Sequence, residues 1–119
     1  SYFMFRGNWR GTSGGGGGGG GSTEDVWASH SSSSTFTFTG TTNSVKCDVS
    51  SNPVTIQLPA ASGNTGKVFR IKHYLGPIET NNITISSAGG TIDGLATIVV
   101  SQNKSNTRVS SDGANWIIG

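Results

Sequence analysis

Beyond residue 34, apolar and polar positions alternate with a period of two along most of the chain. From Thr35 to Thr39, Phe36 and Phe38 fall on one face and the three threonines on the other. After a turn over residues 40–43, Val45, Cys47 and Val49 share a face, with Lys46 and Asp48 opposite. Val54, Ile56 and Leu58 alternate with Thr55 and Gln57, and Pro59, which has no N–H, ends that ladder. Residues 67–75 put Phe69, Ile71, His73 and Leu75 on one face and Val68, Arg70, Lys72 and Tyr74 on the other. Ile83 and Ile85 mark a short strand, residues 97–102 the most apolar one, and residues 107–111 and 115–118 two more. Such alternation is the signature of strands with one covered face, and no window keeps apolar residues at helical spacing for three turns.

Gly63-Asn64-Thr65-Gly66, Gly76-Pro77 and Gly89-Gly90 break the strands. Asp93-Gly94 and Asp112-Gly113 suit tight turns, because glycine accepts positive φ and aspartate bonds nearby backbone. Short strands with turns at these intervals predict an all-β domain, a small antiparallel β-sandwich of jelly-roll type, over residues 35–119. Residues 1–34 show no such period and are expected to form an irregular arm.

Composition agrees with the β reading. Ile, Val and Thr are abundant, with 14 Thr alone, and β-branched side chains favour a pleated surface over a helix. Charged residues are only 12% of the chain and the net charge is +2, too little to point to nucleic acid. No long apolar run marks a membrane span. One cysteine excludes an internal disulfide framework. The chain opens at Ser1 without Met, as a fragment or a processed product would.

Leu, Ile, Val and Phe together are few for a domain of this size, and small domains bury a low fraction of their surface. A homotrimer is therefore expected, with Phe36, Phe38, Trp9 and Trp27 at the interface between subunits. The arm holds an uninterrupted run, Gly14, Gly15, Gly16, Gly17, Gly18, Gly19, Gly20 and Gly21. Two readings stay open for it. A glycine run is a flexible linker by default. Alternatively it packs in order, between chains or within one, where contact must offset the ~1–2 kcal/mol that fixing each backbone residue costs. No Lys-Ser/Thr or helix start follows, so it is not a phosphate-cradling loop.

An ordered set of segments from residue 53 onward resembles a β-domain recurrent in tail-fibre and receptor-binding proteins of tailed bacteriophages. The segments are Val54-Thr55-Ile56-Gln57-Leu58-Pro59-Ala60-Ala61, Asn64-Thr65-Gly66-Lys67-Val68-Phe69-Arg70-Ile71-Lys72, Asn82-Ile83-Thr84-Ile85, Thr91-Ile92-Asp93-Gly94 and Ser111-Asp112-Gly113-Ala114-Asn115-Trp116. The resemblance implies a β-rich module on the virion surface, often trimeric, near a fibre or tail tip and in contact with other virion proteins. Residues 1–50 lie outside it.

Two functions follow as expectations. The first is a fibre-tip module that contacts a host surface glycan through Tyr74, Arg70, Lys72 and Trp116. Aromatic faces suit the C–H faces of a sugar ring. The basic stripe of Arg70 and Lys72 beside Tyr74 suits an anionic glycan, although such lysines and arginines more commonly form a solvated strand face. The alternative is a structural virion protein, such as a head fibre, a decoration protein or a filament subunit. An enzyme is not expected. Glu24-Asp25 is the one adjacent acidic pair, and neighbours on a strand point apart. No cofactor or metal is expected. His30 and His73 are too distant in sequence to read as a metal pair, and Cys47, between Val45 and Val49, reads as a buried thiol.

Overall fold

A computed structural model describes residues 24–119, a two-sheet all-β domain without helix. Nine strands follow one another: β1 (Trp27–His30), β2 (Thr35–Thr37), β3 (Ser44–Asp48), β4 (Val54–Leu58), β5 (Val68–Leu75), β6 (Ile83–Ser87), β7 (Thr97–Val100), β8 (Asn106–Ser111) and β9 (Trp116–Ile118). Sheet A has the order β9-β8-β5-β3-β1 and sheet B the order β2-β4-β6-β7.

The expected sandwich is present, but its connectivity departs from the antiparallel, jelly-roll expectation. Four of the seven pairings are parallel: β1 with β3, β3 with β5, β2 with β4, and β4 with β6. The reason lies in the route of the chain. From β1 to β6 every strand crosses to the opposite sheet, so the next strand in the same sheet runs the same way. A strand of the other sheet thus serves as the crossover that parallel pairs require. The coils β1–β2, β3–β4 and β5–β6 stack as in a β-solenoid. Only then does the chain reverse, and β7, β8 and β9 pair antiparallel.

β1 lies within the arm that was expected to be irregular. It forms the outer strand of sheet A, with Ala28 and His30 turned inward and Trp27 and Ser29 outward. Four residues are too short for periodicity to register, and the parallel partner β3 supplies the missing constraint. Gly14 to Gly21 and Trp9, expected to pack between subunits, lie outside the described residues.

Inward residues of both sheets meet in one interior. Val45, Cys47 and Ile71 come from sheet A, and Val54, Ile56, Leu58, Ile83 and Ile85 from sheet B, all essentially inaccessible. Parallel register stacks like on like, Val54 on Ile83 and Ile56 on Ile85. Phe36 and Phe38 extend this interior toward the first coil, through ring contacts to each other and on to Phe69 and Trp116.

The turns follow their sequence. Asp93 and Gly94 both take positive φ, 48° and 83°, between the bridged residues Ile92 and Leu95. The Asp112 carboxylate accepts from the N–H groups of Asn115 and Ala114, and these bonds hold its carboxyl below the usual carboxylate range.

Two glycines with similar φ separate backbone strain from crowding. Gly63, at φ +85°, faces open space, so Gly63→Ala should cost about 1–2 kcal/mol. At Gly76, φ +98°, an added Cβ would lie 2.4 Å from the Ser50 backbone nitrogen. Gly76→Ala should cost about 3 kcal/mol or more in urea unfolding. Equal losses would contradict this packing.

Candidate functional site

The outward face of sheet A gathers three of the four expected contact residues, Tyr74, Arg70 and Lys72. Along β5 burial alternates until the bulge: Phe69, Ile71 and His73 point inward, while Arg70, Lys72 and Tyr74 point outward. Parallel register sets neighbours beside them. Trp27, Ser44 and Arg70 form one row, and Ser29, Lys46 and Lys72 the next. Arg108 extends the first row on β8.

The register slips after His73. Cys47 pairs with His73 but Asp48 pairs with Leu75, so Tyr74 is the extra residue of a β-bulge. A bulge leaves its residue out of the ladder and turns consecutive side chains to one side. Leu75, expected inward, is therefore 46% exposed, as is Tyr74.

His73 fixes what surrounds the bulge. The Lys104 N–H donates to its Nδ1 at 2.8 Å, so Nε2 carries the proton and donates to the Gly76 carbonyl at 2.8 Å. The His73 N–H donates to the Ser105 carbonyl. These bonds tie residues 104–105 to the end of β5. Lys104 then donates from Nζ to the Tyr74 carbonyl at 2.5 Å, and Lys72 Nζ donates to the Lys104 carbonyl at 2.7 Å. Lys46 Nζ lies 4.9 Å from the centroid of the Tyr74 ring. Partial burial, with the Lys104 ammonium nearby, pushes the Lys72 ammonium below the ordinary lysine range.

Arg70 is placed differently. Its guanidinium meets the Asp25 carboxylate at 2.8 Å, with both side chains about one-third exposed. A pair so exposed contributes ~0–1 kcal/mol, so it orients Arg70 more than it stabilises the fold.

Trp116 does not join this face. Its ring is fully buried, donates from Nε1 to the Pro59 carbonyl at 3.0 Å and meets Phe69 edge to face. It closes one end of the interior and is out of reach of a surface ligand. The sequence pattern missed Lys46 and Lys104 as neighbours of Tyr74. Lys46 carried only its outward position on a strand. Lys104 carried no signal at all, because it reaches Tyr74 across 30 residues of chain through the bond to His73. Trp27, expected between subunits, is 45% exposed on the same outward face.

No three His, Cys, Asp or Glu residues converge among the described residues. Burial pushes the Cys47 thiol up to about 12. The thiolate, the reactive form, is thus suppressed. Cys47 should not react with a thiol reagent at pH 8 until the protein unfolds. A thiol whose pKa is raised by folding stabilises the fold below its unfolded value of 9.0, and that contribution is lost as pH rises from there toward 12. Stability measured by denaturant over that window should therefore fall more steeply for the native chain than for Cys47→Ala. Identical slopes would show that Cys47 is not buried as described.

Compared with protein-family models and with curated proteins, the chain finds no match.

Proposed function

We propose that this chain is a bacteriophage fibre module on the virion surface, at or near a tail-fibre tip, and that it holds a host surface glycan without cleaving it. The observation that carries the reading is the outward face of sheet A. Tyr74, Arg70 and Lys72 lie together there, and Trp27 and Lys46 share the face. Exposed rings beside cations are the chemistry that shallow saccharide binding uses. The carboxylates nearby have structural partners: Asp25 meets Arg70, Asp48 accepts from the Ser50 N–H, and Asp93 accepts from the Ile118 N–H.

A second observation favours self-association, either as a trimeric fibre or as the structural virion protein that is the alternative reading. Among the described residues, β1 and β2 are both outer strands that pair on one side only, and both belong to the first coil. Phe36 and Phe38 remain half-buried beside them. A further copy covering this end would complete the interior, and three weak glycan sites held together would gain avidity.

Light scattering on the purified chain should give a trimer mass, and a lone monomer at micromolar concentration would remove the self-association reading. Fluorescently labelled chain should be retained on bacterial cells that display the glycan. The double variant Tyr74→Ala, Arg70→Ala should lower retention about tenfold or more, as loss of a stacked ring and a charged contact implies. Equal retention of both proteins would move the binding face elsewhere, and no retention across a panel of hosts would count against a glycan-binding role.

A further inference from the structure

We propose that the ammonium groups of Lys46 and Lys104 at Tyr74, with that of Lys72 bonded to the Lys104 carbonyl, form an oxyanion site that takes the pendant acidic group of a polysaccharide. The proposal rests on reading the outward face of sheet A as glycan-binding, and it names the class of glycan.

Three observations converge on it. First, each ammonium is placed by a neutral group. Lys46 lies over the Tyr74 ring, Lys72 donates to the Lys104 carbonyl, and Lys104 donates to the Tyr74 carbonyl. Ring and carbonyls fix the positions of the charges without cancelling them. Second, no ion pair joins these three lysines to a carboxylate among the described residues: Asp25 meets Arg70, and Asp48, on the same face, keeps its charge and accepts from the Ser50 N–H. The Lys104 charge acts unfavourably on the Lys72 ammonium, and a bound anion would relieve that repulsion.

Third, Lys104 breaks a local backbone rule. Its φ is 59°, the left-handed region in which a side chain with Cβ costs about 1–2 kcal/mol and which glycine enters freely. The bond from its N–H to His73 holds that conformation. Stability alone would place glycine or asparagine here. A lysine in this place gains its purpose from the ammonium it carries back to the bulge. The bulge completes the arrangement, since it takes the Tyr74 carbonyl out of the ladder and leaves it to accept from Lys104.

The occupant that fits is a carboxylate, sulfate or phosphate on a sugar whose ring rests near Tyr74. Each exposed charge pair is screened by water, so one lysine should account for about three- to fivefold in affinity.

The test is calorimetric titration of the full chain with three polymers of matched length: polygalacturonate, dextran sulfate and neutral dextran. The expected result is binding of one or both acidic polymers, weakened by added salt, with little binding of neutral dextran. The arm that binds tells carboxylate from sulfate recognition. Lys46→Gln and Lys104→Gly should each lose about three- to fivefold, while Lys67→Gln, outside the cluster, should change little. Lys104→Gly should melt no lower than the native chain, which separates lost binding from lost folding. Equal binding of neutral and acidic polymers would overturn the oxyanion site and leave the glycan reading standing. Equal losses at Lys67 and Lys104 would reduce the effect to net charge and also overturn it. Binding of no polymer, by a chain that bacterial cells still retain, would again remove the oxyanion site alone. If neither polymers nor cells retain the chain, both proposals fall.

Discussion

The structure depends on one constraint: each turn of chain must bury its inward row against the row before and after it. No single coil here has enough apolar surface to be dry by itself. Stacked in parallel register, Val54 meets Ile83 and Ile56 meets Ile85, and the two sheets close over a continuous strip of β-branched side chains. Such side chains have few rotamers to lose on a pleated sheet, which makes the strip efficient for so small a domain. The same constraint gives the ends of the stack special roles. The antiparallel strands β7, β8 and β9, with Trp116 on β9, close one end of the interior. The other is bounded by β1, β2 and the half-buried Phe36 and Phe38.

Fold and candidate site meet at the bulge. Up to His73, β5 keeps the strict alternation that the buried strip demands. One residue later the ladder slips, and two consecutive side chains, Tyr74 and Leu75, turn to water. His73 lies just inside that slip and spends both ring nitrogens on backbone, one on Lys104 and one on Gly76. It is a core residue by burial and a positioning residue by effect. Without its acceptor the segment bearing Lys104 would have no fixed place beside Tyr74.

The two outer surfaces differ in chemistry although the strands beneath them are alike. The outward positions of sheet B are Thr35, Thr37, Thr55, Gln57, Thr84, Ser86, Thr97 and Val99, without a charge among them. The corresponding positions of sheet A include Lys46, Arg70, Lys72 and Arg108. Among the described residues, the cations carried on strands thus gather on one side. Fields from charges this close do not average away within the Debye length of physiological salt, ~8 Å. The asymmetry is a property of the assembled sheets and is invisible in the overall composition.

By itself the sequence determined the period. Alternation in Ser44–Asp48, in Val54–Leu58 and from Val68 to His73 set strands, inward and outward faces, and the burial of Cys47 and His73, because side chains on a strand point to opposite sides in turn. Asp93-Gly94 and Asp112-Gly113 fixed their turns through local backbone preferences. The tertiary structure alone decided which strands pair. Strand direction depends on where the chain crosses, and no short-range pattern encodes a crossing, so parallel stacking stayed hidden and β1 was read as irregular. The same holds for the site. Trp116 and Tyr74 were both expected to contact a ligand, yet one seals the interior and the other stands on a bulge. Lys46 and Lys104 become neighbours of that ring only through register and through a histidine bond, interactions between residues far apart in the chain.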